Sequence, residues 1–251
     1  MLEARRESNV TFFRSTQLDS IPGLVHAFST RRAEGMDLSL GGPGQPTGHH
    51  WDRFLAACGM PGWPVGRVRQ VHSNGVHWVR DNEFLNSRQE GDAVGTSLRG
   101  IALGIATADC VPVLMADTGG RSVAAAHAGW RGTSEGVVRR TVEAMTAEAG
   151  IGVEQITVAI GPHIGVCCME VGEEVFEWFA DPEIFERRAE WPRPHLSLAK
   201  ANRKQLIASG VADDRIEVST LCTRCHSDLF HSYRRDGESA GRMYGLIGLQ
   251  P

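Results

Sequence analysis

The feature that most constrains the fold is a series of apolar segments between Ile101 and His127. The segments IALGIATA, VPVLMA and SVAAAH are separated only by the short polar breaks ADC and DTGGR. Apolar runs this short, bounded by Asp and Gly, are typical of strands that are buried in a sheet. The sequence therefore predicts three buried strands in this part of the chain.

Helices and further strands are predicted around this segment. Apolar residues recur at helical spacing from Thr133 to Ala149, with charged residues largely on the other side, which predicts an amphipathic helix. Similar patterns predict helices at Glu173 to Phe179 and Leu198 to Ser209, strands at Ile156 to Ile160 and Met243 to Ile247, and a Gly- and Pro-rich loop from Leu40 to His50. Strands and helices alternate irregularly, so the expected class is α+β, with a mixed β-sheet core flanked by helices.

The chain is 251 residues long and contains no repeat or linker that would divide it. We therefore expect a single catalytic domain over residues 1–251, with residues 1–20 as an N-terminal extension or edge strand. The net charge is -4, and the basic residues are scattered among acids. This distribution argues against nucleic acid or an anionic membrane as a partner, and favours a small molecule.

The first 20 residues have no apolar core of a signal peptide, and no later segment approaches about 18 consecutive apolar residues. We therefore expect a cytoplasmic protein, either a monomer or a homodimer. In that reducing compartment the six cysteines are expected to be buried residues, nucleophiles or metal ligands, because disulfides are rare there.

Three side chains with metal-binding chemistry lie at the ends of apolar runs. They are His72 in RQVHS, Cys110 in TADCVP and His127 in AAAHAGWRG. Two imidazoles and a thiolate suit zinc, and three protein ligands leave the fourth tetrahedral position open, as in catalytic sites. Their spacing matches no short ligand signature, so a core cysteine with two hydrogen-bonded histidines is the alternative. Asp109 beside Cys110 could orient a ligand or act as a general base.

The segment after His127 is a candidate anion site. The residues AGWRG lead into the predicted helix, with Thr133 or Ser134 as its expected N-cap. The free N–H groups at a helix N-terminus and the guanidinium of Arg131 would together bind phosphate oxygens. The alternative is that the two glycines only permit a tight turn and that Arg131 is a solvated surface residue.

Seven motifs along the chain together resemble one family. They are FSTRR (Phe28 to Arg32), QVHS (Gln70 to Ser73), GDAVGT (Gly91 to Thr96), TADCVPVLMAD (Thr107 to Asp117), AAAHAGWRGT (Ala124 to Thr133), AIGPHIGVCCMEVGEEV (Ala159 to Val175) and CTRCHSDLFHSYRRDG (Cys222 to Gly237). This set is similar to the purine nucleoside phosphorylase family of the YfiH and YlmD type, formerly described as multicopper polyphenol oxidases or laccase-domain proteins. The resemblance extends from His26 to Ile247.

The resemblance implies phosphorolysis of adenosine, inosine, guanosine and 5'-methylthioadenosine, with adenosine deamination as a second activity at the same zinc site. The implied partners are purine nucleosides and phosphate, and the implied zinc ligands are His72, Cys110 and His127. We assign catalytic roles to Asp109 and Arg131. The substrate-binding residues are predicted to be Arg31, Gln70, Gly129, Arg131, His163, Cys168 and Arg234. The chain departs from the family pattern at Met169, at Ser197 and near Gly35.

The remaining cysteines have several interpretations. Cys167 and Cys168 follow a Gly-Pro turn and could line the pocket, although buried cysteine pairs often only pack. The segment CTRCH matches the CxxCH haem-attachment motif, but covalent haem requires export, so we treat the match as chance. With His231, these groups could instead form a small second metal site.

Arg234 and Arg235 could contact phosphate or brace a carboxylate such as Asp109, and a structural ion pair is the alternative.

Other functions are consistent with the same residues. A copper-dependent polyphenol oxidase could use some of the ten histidines, but no HxH pair occurs, and the only adjacent pair is His49-His50 in the predicted loop. A cysteine hydrolase would use Cys110 as the nucleophile and His127 as the base. A binding or structural metalloprotein would hold zinc without turning over a nucleoside, and the open coordination position argues against this.

Overall fold

Two six-stranded mixed sheets form the centre of the protein in the computed structural model, which describes residues 1–33, 49–81 and 89–251. The strands are β1 (Leu2–Glu7), β2 (Val10–Ser15), β3 (Leu24–Ala33), β4 (Val65–Gly66), β5 (Val76–Val79), β6 (Ala93–Thr96), β7 (Ala102–Thr107), β8 (Val111–Asp117), β9 (Val123–Ala128), β10 (Ile156–Ile160), β11 (Phe185–Glu186), β12 (His195–Leu196), β13 (Ile216–Val218) and β14 (Met243–Leu249). The first sheet has the order β1-β2-β3-β14-β7-β4, and the second has the order β13-β10-β8-β9-β6-β5.

Along the described part of the chain, the helices lie between strands. They are α1 (Thr16–Asp19), α2 (His49–Ala57), α3 (Trp130–Ser134), α4 (Val137–Ala149), α5 (Leu198–Ala208) and α6 (Tyr233–Asp236), with 3₁₀ segments at Val153–Gln155, Glu173–Trp178, Pro182–Ile184, Asp213–Arg215 and Gly237–Ser239. Within the three described ranges, no helix is long and apolar enough to cross a membrane.

The two sheets pack face to face and are covered on their outer faces by helices. Alternate residues of β8 divide between the layers: Leu114 packs towards the first sheet, whereas Val113 and Met115 pack towards α4. On the other side of the molecule, Phe54 of α2 packs against the outer face of the first sheet. The central strands of the second sheet are therefore buried on both faces, and this explains why β8 and β9 consist almost entirely of apolar residues.

The predicted α+β class, with mixed sheets flanked by helices, is confirmed. The three strands predicted between Ile101 and His127 are present as β7, β8 and β9, although they belong to two different sheets. β1 lies at the edge of the first sheet. The predicted loop from Leu40 to His50 falls mostly outside the described residues, and its last two residues begin α2.

Two helix predictions are wrong in detail. The segment expected as one helix from Thr133 to Ala149 is divided into α3 and α4 by Gly136, whose backbone is left-handed at φ 81°. The N-caps are glycines, Gly129 for α3 and Gly136 for α4, so neither Thr133 nor Ser134 caps a helix. The helix predicted from Glu173 is a 3₁₀ segment.

Candidate metal centre

The three predicted metal ligands lie together at one end of the second sheet. The ligand atoms of His72, Cys110 and His127 are all within 4.8 Å of one another, and Cys110 Sγ lies 3.9 Å from His72 Nε2. The antiparallel register of β8 and β9 pairs Pro112 with His127, so that Cys110, just before β8, comes next to His127. The fold therefore brings together side chains that are far apart in sequence.

The turn that carries His72 is shaped by the buried carboxylate of Asp92. The backbone N–H groups of Val71, His72 and Ser73 donate to this carboxylate at 3.2, 3.0 and 2.6 Å, and the Ser73 hydroxyl donates at 2.9 Å. Successive N–H groups that converge on one anion form a nest. His72 has a positive φ of 61°, a conformation that is rare for residues other than glycine and that this nest stabilises.

Asp92 also orients His127. It immediately precedes β6, which pairs with β9, and its carboxylate accepts a hydrogen bond from His127 Nδ1 at 2.8 Å. This hydrogen bond holds Nδ1 on Asp92 and leaves Nε2 as the atom that would bind a metal, which is the usual arrangement of a carboxylate behind a histidine ligand. Burial raises the pKa of Asp92, but the hydrogen bonds from His127 and Ser73 outweigh burial and lower it to about 2. The carboxylate is therefore ionised near neutral pH.

Asp92 is a residue of this site that was not predicted from the sequence. It occurs in the motif GDAVGT, at the start of a buried strand. A buried acidic residue needs several hydrogen-bond donors or a positive partner. An Asp at the start of a buried strand could therefore have indicated a site residue.

The electrostatics of the centre favour the charged form of the thiol. Burial raises the pKa of Cys110, but the neighbouring His127 and hydrogen bonds from both histidines lower it to about 6. Burial lowers the pKa of His127, whereas the charges of Cys110 and Asp92 and their hydrogen bonds raise it to about 9. Near neutral pH these values pair a Cys110 thiolate with a protonated His127, and a metal ion would replace the Nε2 proton and bind the thiolate and the neutral imidazole.

The donor set fits a tetrahedral zinc ion. Usual Zn–N and Zn–S bond lengths place two ligand atoms about 3.6 Å apart, close to the 3.9 Å between His72 and Cys110. Gly129 leaves space beside them, because a Cβ there would lie 2.8 Å from His72 Cδ2 and 3.1 Å from Cys110 Sγ. His127 is buried, whereas His72 is exposed, so the centre is open to solvent on one side. An open side suits a fourth, exchangeable ligand.

Asp109 is held by the C-terminal segment of the chain. Its buried carboxylate accepts hydrogen bonds from Thr223 Oγ1 at 2.5 Å, Ser232 Oγ at 3.0 Å and the Arg234 backbone N–H at 2.6 Å. Its backbone, at φ 88°, forms the turn that places Cys110. Of the arginine pair, only the backbone of Arg234 contacts Asp109, and the guanidinium groups of Arg234 and Arg235 have other partners, so the expected brace by the arginine side chains is not seen.

Arg131 lies in α3, next to the centre in sequence. It is exposed, and its guanidinium stacks on the Trp130 ring at 4.2 Å from the ring centroid. α3 has only five residues and begins at Gly129 without a side-chain cap.

Three other predicted substrate contacts have protein partners. Gln70 pairs with the backbone of Ala106 through both ends of its amide, at 2.8 Å each. The exposed Arg31 donates to the Ser227 carbonyl at 3.0 Å. His163 is buried, with Nδ1 2.8 Å from the Gly161 carbonyl, and burial lowers its pKa, which keeps the ring neutral.

The last two predicted contacts, Cys168 and Arg234, lie near each other and do not belong to the three-donor group of His72, Cys110 and His127. The Arg234 guanidinium donates to the carbonyl of Glu170 at 2.9 Å and to that of Cys168 at 3.4 Å. The Cys168 thiol lies 3.4 Å from that of Cys225. Arg235 forms an ion pair with its neighbour Asp236, at 2.7 Å.

Fold and site together define an α+β protein in which three potential metal ligands, His72, Cys110 and His127, converge at one end of a buried sheet. Residues 29–250 match the family described as multi-copper polyphenol oxidoreductase laccase, and the chain belongs to this family. The resemblance predicted from the seven motifs is thereby confirmed.

Relatives of this chain include proteins named as purine nucleoside phosphorylases and one named as an adenosine deaminase. A purine nucleoside phosphorylase of Deinococcus radiodurans is 39% identical over 233 residues, which cover 89% of this chain and 88% of the relative. An adenosine deaminase called RL5, from an unknown prokaryotic organism, is 40% identical over 189 residues, which cover 70% of this chain and 71% of the relative. The crystal structure of YlmD from Geobacillus stearothermophilus has a TM-score of 0.83 at 29% identity and covers 99% of both chains.

Proposed function

We propose that this chain is a zinc-dependent purine nucleoside phosphorylase. It would cleave adenosine, inosine, guanosine and 5'-methylthioadenosine with phosphate to the free base and the corresponding ribose 1-phosphate, with adenosine deaminase as a second activity. The observation that carries this proposal is the group of three potential metal ligands, His72, Cys110 and His127, which is open to solvent on one side. Relatives in the same family are named purine nucleoside phosphorylase and adenosine deaminase, which supports the choice of reactions. A zinc ion held there would supply a Lewis acid for a substrate oxygen or water.

In phosphorolysis, a phosphate oxygen attacks the anomeric carbon, the bond from this carbon to the purine nitrogen breaks, and the purine leaves with the bond electrons and takes up a proton. Arg131 is the proposed phosphate contact, because it is exposed and its stacking on Trp130 restricts its motion before phosphate binds. Gly129, the predicted substrate contact, lets the backbone lie close to His72 and Cys110, because a Cβ there would press on both donors. Asp92 keeps His127 in the required orientation.

Of the two roles expected for Asp109, to orient a ligand or to act as a general base, we propose the first. Both of its carboxylate oxygens already accept short hydrogen bonds from the C-terminal segment. Such a carboxylate is well suited to fix the turn that presents Cys110, and so to position the thiolate. The other proposed substrate contacts already have hydrogen-bond partners within the protein, which substrate would have to approach or replace. They are Arg31, Gln70, His163, Cys168 and Arg234.

The proposal is tested by incubating adenosine and inosine with the purified protein, with and without phosphate, and separating the products by chromatography. We expect phosphate-dependent release of free base, and inosine formed from adenosine without phosphate. Cys110→Ala should abolish both reactions and remove the zinc bound at this centre. The control is Cys58→Ala, since Cys58 is buried beneath α2, outside the three-donor group. A fully active Cys110→Ala enzyme would rule out the scheme.

The family description also favours a second candidate, a copper-dependent polyphenol oxidase, because a thiolate with two imidazoles accepts copper as well as zinc. Copper-reconstituted protein that consumes oxygen with phenols, and leaves nucleosides unchanged, would establish this alternative. Alkylation of Cys110 in protein that retains zinc and loses activity would instead indicate a cysteine nucleophile. Cytoplasmic location and the choice between monomer and homodimer stay predictions.

A further inference from the structure

A second group of potential metal ligands consists of four cysteines. The sulfur atoms of Cys167, Cys168, Cys222 and Cys225 lie within 4.8 Å of one another. The sulfur of Cys225 is 3.7 Å from that of Cys167 and 3.4 Å from that of Cys168. Four thiolates around a tetrahedral zinc ion are separated by about 3.8 Å. We propose that these four cysteines bind a structural zinc ion, distinct from the three-donor centre.

The backbone around Cys222 is arranged as in a zinc-binding turn. Cys222 and Cys225 are two residues apart in a CxxC motif, the commonest spacing of paired zinc ligands. The backbone N–H groups of Arg224 and Cys225 are directed at Cys222 Sγ, and the N–H of Gly165 donates to it at 3.2 Å. Hydrogen bonds from backbone N–H groups stabilise a thiolate, so the backbone favours the metal-binding form of this cysteine.

The surrounding charges are compatible with four thiolates. A zinc ion with four thiolates carries two net negative charges, and cations nearby reduce the cost of holding them together. The Arg224 guanidinium lies 3.6 Å from Cys168 Sγ, and the Arg234 guanidinium donates to the Cys168 carbonyl. A second metal site was expected to combine the cysteines of the CTRCH segment with His226 and His231. Among the described residues, the group instead combines Cys222 and Cys225 with Cys167 and Cys168, and contains neither histidine.

A site with four protein ligands has no position for substrate, so its role is structural. The metal would join the loop after β10, which carries Cys167 and Cys168, to the turn after β13, which carries Cys222 and Cys225. The second of these segments continues into the residues that hold Asp109. The proposed zinc would therefore stabilise the wall that positions Cys110.

Metal analysis of the protein, purified under reducing conditions, separates the two centres. We expect about two zinc ions per chain in the wild type, and about one in Cys110→Ala and in the double variant Cys222→Ala, Cys225→Ala. Cys58→Ala, in which a buried cysteine outside both groups is replaced, should retain both ions. Because Cys110→Ala affects only the first centre, the test does not depend on the proposed catalytic function.

X-ray absorption at the zinc edge of Cys110→Ala provides a test that does not need the double variant to fold. The ion that remains should show four sulfur neighbours at about 2.3 Å, and no nitrogen neighbours. Absence of zinc from Cys110→Ala would overturn the proposal. A disulfide among the four cysteines, seen by mass spectrometry as the loss of two hydrogens in protein purified under reducing conditions, would also overturn it. Copper bound to the sulfurs in place of zinc would overturn the assignment of the metal.

Discussion

Asp92 connects the turn that carries His72 to the ring of His127 through one buried carboxylate. Asp92→Asn keeps the shape of the side chain but replaces one acceptor oxygen with an NH₂ group. This group cannot accept hydrogen bonds from the backbone N–H groups of the turn or from His127. We expect zinc affinity at the three-donor centre to fall about 10- to 100-fold, as for other groups that support a metal ligand. The free energy of unfolding should fall by about 1.5–3 kcal/mol.

Zinc competition with a chelator and urea unfolding measure these two effects. Asp214→Asn is the matched control, because Asp214 is exposed on the 3₁₀ segment before β13 and lies outside the metal centre. Unchanged zinc affinity in Asp92→Asn would show that His127 does not need this carboxylate for its orientation.

His26 makes the stability of the first sheet dependent on pH. It is fully buried in β3, and its Nε2 accepts a hydrogen bond from the Ser15 backbone N–H at 2.8 Å. Burial, together with the nearby positive charge of Arg14, lowers the pKa of His26 to about 3, from 6.5. Below pH 6.5 the unfolded chain therefore binds a proton at this residue that the folded protein does not bind.

The stability that neutral His26 provides is complete above about pH 6.5 and is lost as pH falls towards 3, at about 1.4 kcal/mol per pH unit. In His26→Gln, the amide oxygen can accept the same hydrogen bond without titrating. Urea unfolding between pH 6.5 and 5 should therefore show a steeper loss of stability in the wild type than in the variant. Parallel curves would show that folding does not lower the pKa of His26.

The turn between β9 and α3 determines whether the metal donors have room. Gly129 has φ −69° and ψ 171°, which any residue can adopt, so Gly129→Ala tests space and not backbone strain. The new Cβ would press on His72 and Cys110. We expect a folded protein whose zinc affinity at this centre is lower by at least about tenfold, measured by chelator competition.

Gly245→Ala in β14 is the control for this substitution, because its Cβ would have only ordinary contacts of 3.4 Å or longer. Equal zinc affinity in the two variants would mean that the donors can shift to accommodate a methyl group.

At the level of elements, strands were predictable where apolar runs are interrupted by polar turns, as in β8 and β9. The boundary between α3 and α4 was not, because Gly136 changes the direction of the backbone without interrupting the apolar spacing. Glu173 to Phe179 has residues that suit an α-helix, but Glu173–Trp178 forms a 3₁₀ segment. Local patterns therefore predict that an element exists better than they predict its geometry.

At the level of the whole molecule, the arrangement of strands depends on contacts that sequence patterns do not contain. β14, the last strand, lies between β3 and β7, and β7 and β8 are consecutive in the chain but belong to different sheets. The three metal donors were recognisable from their chemistry and from the family motifs. Asp92 and the four-cysteine group become evident only when the fold brings distant segments together.

The C-terminal segment and the second sheet are joined at Asp109, which accepts hydrogen bonds from Thr223, Ser232 and the Arg234 backbone. Asp109→Asn can keep the positive φ, which asparagine tolerates, but its amide nitrogen cannot accept a hydrogen bond. We expect faster amide hydrogen exchange across residues 222–236, together with a lower kcat, because Cys110 would be held less firmly.

Thr223→Val, which removes one donor and leaves the carboxylate in place, should increase exchange in the same segment to a smaller extent. The readout separates a positioning role of Asp109 from direct proton transfer. Asp109→Asn could instead lower kcat while exchange in residues 222–236 stays at the wild-type rate. The carboxylate would then act on the substrate itself, and general base, the other role expected from the sequence, would be the correct assignment. Faster exchange with a matching loss of kcat in both variants would establish that the catalytic centre depends on the junction between the second sheet and the C-terminal segment.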